Sequence, residues 1–338
     1  MNKNLFLLSA SFVVFCATGA NAQIPDSVKL HVDSAINLLQ DKSIYAKRVN
    51  WEKIKAESHS RAASARTKAE TFDAIQYAFL QLKDKHGMFV QYDKQYRVAD
   101  TLLPKRYSDS LLALWKGGWK IQTEMLGEVA YIHMPNMNAF NREQIDKMAN
   151  RFYDSVAALA AQKPKAWIID LRRNAGGNNR PMMAGIAPFF GDGPTSYILD
   201  RDNNIVGTSG FRGGDYVGDE GIEATIRNKI PAMADARIAV IIGPGTGSSG
   251  EGVAFALKER KNTRLFGEPS AGYANSTEGF VFNNQNSYFL LTTSLLSGKD
   301  KKVLPEQVLP DVEVKHNDHF DDLKNDNAVK AALAWLKH

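Results

Sequence analysis

One cysteine, Cys16, is all the thiol this 338-residue chain contains, and it lies close to the N-terminus. If that segment is removed, the rest of the chain can form no disulfide, thiolate metal site or cysteine nucleophile. No run approaches the roughly 20 consecutive apolar residues that a membrane-spanning helix needs. Neither sign of charge dominates, since 42 Lys and Arg stand against 37 Asp and Glu for a formal net charge of +5. The densest basic run, Lys299, Lys301 and Lys302 around Asp300, reads as a solvated turn, so no nucleic-acid partner is expected. Internal repeats and low-complexity linkers are missing as well. With 44% hydrophobic and 23% charged residues, the composition is that of a globular protein whose core needs no cross-links.

The first residues have a composition of their own. Lys3 precedes an apolar stretch from Leu5 to Ala17, and Ala20-Asn21-Ala22 offers a small-residue cleavage site before Gln23. This is the pattern of a secretory signal peptide over residues 1–22, and bulky Phe15 before Cys16 argues against lipid attachment there. The expected product is exported, periplasmic or extracellular, without a membrane anchor.

Two regions follow. Residues 23–118 read as a helical subdomain: Val28, Leu30, Val32, Ala35, Ile36 and Leu39 mark one amphipathic helix, and Phe72, Ile75, Ala78, Phe79 and Leu82 mark another that runs to Asp84. A third, Asp109 to Trp115, stops at Gly117-Gly118. Residues 119–338 alternate strands with helices, which predicts an α/β domain. Strands are expected at Val129–His133, Ala166–Leu171, Ile238–Ile242 and Arg264–Gly267, with helices at Arg142–Ala161, from Glu251 and at Asn327–Leu336. Phe280–Phe282 and Tyr288–Thr293 read as a hairpin across Asn283–Asn286.

Chemistry is suggested where strands meet glycine-rich turns. After Ile238–Ile242 the segment GPGTGSSGE places Ser248 and Ser249 at the junction of a buried strand and a helix, where a hydroxyl is exposed near free backbone N–H groups. The alternative is a structural turn with one serine as helix cap. After Ala166–Leu171, the segment DLRRNAGG brings Gly176 and Gly177, whose missing side chains allow an amide to approach a reacting atom. A serine nucleophile needs a base. His86, at a helix end in LKDKHG, is the candidate, although a terminal histidine also suits the helix dipole.

Taken in order, LKDKHG, DLRRNAGG, GTGSSGE, LFGEPSAGYAN and VLPEQVLPDVEV resemble the serine peptidases of the tail-specific protease, tricorn core and interphotoreceptor retinoid-binding protein superfamily. The resemblance implies a ClpP/crotonase-like α/β core behind the helical subdomain. It makes Ser248 the nucleophile, with Glu251 the glutamate of the serine turn. Tyr273 holds the place of the tail-specific branch's lysine, so the resemblance is to the tricorn-like branch, with His86 as base and Glu306 orienting it. Gly176 and Ser249 would supply the oxyanion amides. Asp311 rivals Glu306 for the orienting role, and Lys85 and Gly87 depart from the hydroxyl residues that relatives place beside the histidine. The span between His86 and Val129 is too short for a PDZ domain.

The implied activity is that of an exported serine endopeptidase acting on unfolded protein or peptide segments held in extended form. Neither metal nor organic cofactor is required. Two other readings remain: a binding module on the same fold, holding a peptide or apolar ligand without catalysis, and an α/β-hydrolase esterase. The esterase would draw on Asp311 with His316 or His319, and it needs a glycine where Thr246 stands.

Overall fold

The computed structural model describes residues 24–115 and 120–337. The expected signal peptide and the Gly117-Gly118 stop lie outside the described residues.

The strands Ala166–Asp170 and Ile238–Ile242 are buried at every position, and they form the centre of a six-stranded sheet. Its order is Val312–Glu313, Thr263–Gly267, Ile238–Ile242, Ala166–Asp170, Val129–His133 and Gln122–Leu126. The first five are parallel, and Gln122–Leu126 closes the edge antiparallel. Alternate residues of each strand face opposite sides. Ile132, Ile169, Val240 and Ile242 pack against Phe152 and Val156 of helix Arg142–Ala160 and Val253 and Leu257 of helix Ser249–Lys258. Tyr131, Ile168, Ala239 and Ile241 face Val329, Ala332 and Leu336 of helix Asn327–Leu336. Two layers of helix around a mostly parallel sheet are the α/β arrangement that the alternation predicted.

A second sheet was only partly legible. It runs Lys94–Tyr96, Met88–Gln91, Ser287–Ser297, Gly193–Leu199, Ile205–Arg212, Asp215–Gly218 and Gly221–Ile222, with Ser276–Phe282 paired to Ser287–Ser297 alone. The region expected to be helical thus contributes two strands. Met88–Gln91 pairs antiparallel with Ser287–Leu290, so packing crosses the sequence boundary near 118. Helices Asp26–Lys42, Trp51–Ala62 and Phe72–Gln81 bury Val32, Ile36, Leu39, Ile75 and Phe79 against Phe89, Phe289 and Leu291. That shared core places the turn carrying His86 beside the α/β layers.

Candidate active site

The parallel strands all release their chains at one end, where an open α/β sheet carries its ligands. From Ile242 the chain enters the glycine turn and reaches Ser248, whose φ of 51° and ψ of −121° are rare for a residue with a Cβ. The helix Ser249–Lys258 starts at the next residue, with Ser248 at its N-cap position. The turn is tied to the neighbouring loop: Gly247 N–H donates to the Asn174 carbonyl at 2.9 Å, and Thr246 Oγ1 to the Leu171 carbonyl at 2.9 Å. At Gly245 a Cβ would lie 2.2 Å from the Arg172 carbonyl oxygen, so only glycine fits there.

Gly176 packs directly on Ser248. A Cβ at Gly176 would stand 2.6 Å from Ser248 Cβ and 3.1 Å from Ser249 N, and its φ of 105° already selects glycine. Its N–H, expected to face an oxyanion, is engaged by Asn174 Oδ1 at 3.0 Å. Among the described residues, no acceptor meets the N–H of Gly177 or of Ser249. Ser249 Oγ donates to the Gly177 carbonyl at 2.7 Å, which holds these two residues together. Two amides without partners, adjoining a strained serine, can stabilise a developing negative charge.

His86 follows helix Phe72–Gln81, in the turn before strand Met88–Gln91. Buried Asp84 sets its backbone by accepting the N–H groups of His86 at 3.1 Å and Gly87 at 2.9 Å. The same carboxylate accepts Thr292 N–H at 2.9 Å and Thr292 Oγ1 at 2.7 Å, which fastens the turn to the long strand Ser287–Ser297. His86 Nδ1 lies 3.1 Å from the Asn275 carbonyl oxygen. A carbonyl only accepts, so Nδ1 carries the proton and Nε2 is the basic nitrogen. Burial, the largest effect, lowers the His86 pKa from its ordinary value, while Asp84, the Asn275 carbonyl and Glu306 oppose it.

Glu306 lines the same cavity of about 310 Å³ as His86, together with Tyr45, Tyr273 and Asn275. Its Oε1 accepts Tyr45 Oη at 3.0 Å and Asn275 Nδ2 at 3.2 Å. Glu306, expected to orient the imidazole, instead meets the side chain of Asn275, the residue whose backbone carbonyl meets His86 Nδ1. Among the described residues His86 hydrogen-bonds neither Glu306 nor Ser248. Asp311, the rival, is turned away: it accepts Leu265 N–H at 2.8 Å and pairs with Lys258 at 3.0 Å.

Glu251 joins the two halves. Fully buried, it accepts the N–H groups of Ser248 at 2.8 Å, Gly272 at 2.7 Å and Tyr273 at 2.8 Å, as well as the Ser270 hydroxyl. The Tyr273 ring lies 5.5 Å from the His86 ring. Burial pushes the Tyr273 phenol up to about 12 and the Glu251 carboxyl up to about 7. Tyr273, in the place where a lysine base would stand, thus stays a neutral phenol at physiological pH. The sequence reading gave Glu251 a motif position without a role, and it gave Asp84 and Asn275 none.

The family model described as peptidase family S41 matches residues 128–314, a span that contains Gly176, Ser248 and Glu306 but not His86. The nisin-resistance protein of Lactococcus lactis subsp. lactis is 24% identical over 314 residues, covering 93% of this chain and 88% of that protein. Among solved structures, a lipoprotein from Streptococcus agalactiae superposes with a TM-score of 0.67 at 18% identity and covers 99% of each chain. The photosystem II D1 C-terminal processing protease gives 0.58 at 15% identity, covering 86% of this chain and 93% of that one. The fold is shared with both structures, and with the first of them over nearly the whole chain.

Proposed function

The chain belongs to peptidase family S41, and on that footing we propose that it is an exported serine endopeptidase in which Ser248 attacks the scissile carbonyl of an unfolded or peptide substrate. His86 Nε2 takes the serine proton and returns it to the leaving amine, while the Asn275 carbonyl holds Nδ1–H and so fixes the tautomer. Glu306, hydrogen-bonded to the Asn275 side chain, offsets the positive charge when the imidazolium forms. The amides of Ser249 and Gly177 stabilise the oxyanion, and Gly176 is the small residue that lets the two loops meet. The observation that carries this reading is the strained Ser248 at a helix N-terminus beside two unpartnered amides. Export rests on the leader pattern of residues 1–22. Among the described residues no helix is long and apolar enough to cross a membrane.

Fluorophosphonate labelling with mass-spectrometric mapping, run beside Ser248→Ala and His86→Ala, tests the assignment. Labelling at Ser248 that is lost in both variants is the expected result. A folded protein that resists labelling would overturn the triad and leave a binding module on the peptidase fold.

A further inference from the structure

A second cavity, a groove of about 800 Å³, reaches the site at Gly177. Gly177 lines this groove and His86 does not, whereas His86 lines the smaller cavity and Gly177 does not. In acyl transfer the amides hold the carbonyl of the acyl residue, and the histidine protonates the leaving amine. Under the reading above, the groove therefore receives residues on the N-terminal side of the scissile bond.

Both walls are anchored to the catalytic loops. One is the segment Asn138–Phe140, whose Ala139 carbonyl accepts Asn178 Nδ2 at 2.9 Å and which follows Met137, whose N–H donates to the Gly176 carbonyl at 3.1 Å. It presents Phe140, 88% exposed although its own N–H is pinned by Gln144 Oε1 at 2.8 Å. The other wall is Ser276–Glu278, which starts directly after the carbonyl that holds His86. These residues open strand Ser276–Phe282, which has a neighbouring strand on one side only. Ile198, Val206 and Leu296 add apolar surface between the walls. An unpaired strand edge facing an exposed aromatic is a site for an extended chain.

The charge in the groove says what kind of chain. Asp219, Glu220, Glu223 and Glu278 line it against a single cation, Arg180, in a protein whose overall charge is positive. Arg180 is spent on Glu223, and Asp219 accepts Thr208 N–H at 3.0 Å. Glu220 and Glu278 have no ion-pair partner among the described residues. We propose that the groove binds an extended peptide segment bearing lysine or arginine among apolar residues, N-terminal to the bond cut, with Phe140 as platform and Glu220 and Glu278 as the charge-reading groups. This rests on the peptidase reading for its direction but not for the binding itself.

Binding to the uncleavable Ser248→Ala protein is measured by fluorescence anisotropy with paired labelled peptides, identical except for lysine against glutamate. The lysine peptide should bind about tenfold more tightly at low salt, narrowing as salt screens the pairs. In Glu220→Gln/Glu278→Gln the two should differ by no more than about twofold, and Phe140→Ala should weaken both alike. Equal binding of the pair, tighter binding of the glutamate peptide, or a preference that survives the double substitution overturns the proposal. Thermal melting verifies that each variant folds; if the double variant does not, Glu278→Gln and the salt dependence decide. Since no turnover is needed, a protein that binds as expected yet resists fluorophosphonate would separate failure of the peptidase reading from failure of the groove.

Discussion

The Glu251 carboxylate accepts the N–H of Ser248 through Oε2 at 2.8 Å, and the same oxygen takes the N–H of Tyr273. Oε1 takes Gly272 N–H and the Ser270 hydroxyl. One buried group thus fixes the backbone of Ser248 and the loop whose Tyr273 packs near His86. Glutamine has the same shape but only one acceptor oxygen, so in Glu251→Gln one pair of donors must face an NH2 group. Each orphaned donor costs roughly 1–3 kcal/mol. The expected outcome is a lower melting temperature and a kcat reduced by on the order of a hundredfold with KM little changed, as fits a group that positions the serine without touching substrate. A variant with full kcat would remove Glu251 from the catalytic geometry.

With His86 as the proposed base, acidification should silence activity through it. Burial disfavours the imidazolium, so its pKa lies below the ordinary 6.5, and the neutral form needed for proton abstraction persists to lower pH than in a free histidine. kcat/KM should rise with pH, and the limb owned by His86 should have its midpoint below 6.5. In the same window the unfolded chain binds the proton more readily than the fold, so this residue's stabilisation is present above 6.5 and lost as pH falls. Glu251 acts oppositely: with its carboxyl raised from 4.5 to about 7, the fold holds the proton longer, and its contribution to stability declines as pH rises across that interval. Profiles recorded on the active protein and on Glu251→Gln separate them, because a limb owned by His86 survives the substitution.

Gly176→Ala tests the fit between the two glycine loops. The added methyl would meet Ser248 Cβ at 2.6 Å and the Gly247 carbonyl oxygen at 2.9 Å, and both neighbours are fixed by the turn. The φ of 105° adds strain that no side-chain shift relieves. Loss of fluorophosphonate labelling, with a melting temperature lowered by several degrees, is expected. Labelling at the native rate in this variant would mean that the loops need not touch.

What the sequence conveyed depended on whether both faces of an element are buried. Ile238–Ile242 and Ala166–Asp170 are apolar runs because helices cover both sides of their sheet, and the strand Val129–His133 and the final helix lie at their expected bounds. The hairpin around Asn283–Asn286 was legible from its turn residues, three of which have positive φ. The strands between Gly193 and Ile222 escaped because they carry glycines and leave Ile205 45% and Val206 57% exposed, which blurs the alternation. At the site, Ser248 and His86 were marked by turn chemistry. The acceptor for His86 was invisible because it is a backbone carbonyl, which every residue has, and Asp84 between two lysines looked like surface charge.

Arg172 supports the loop that carries Gly176 and Gly177. The residue is 4% exposed, and its guanidinium lies 2.6 Å from Asp170, 2.7 Å from Asp326 and 3.0 Å from Asp318, with Tyr131 Oη donating to Asp170 at 2.9 Å. Asp326 in turn caps the last helix by accepting the N–H groups of Ala328 and Val329 at 3.0 Å. The cluster therefore ties the end of a central strand to the C-terminal helix just before the chain turns toward Ser248. Arg172→Met keeps most of the volume but leaves three buried carboxylates without their cation, at a cost of about 3–5 kcal/mol. Asp318→Asn removes the most distant of the three partners and should cost less. Urea unfolding of both variants checks the order: a larger loss for Asp318→Asn would mean that the arginine is held mainly from the C-terminal loop, and that the strand end keeps its place without it.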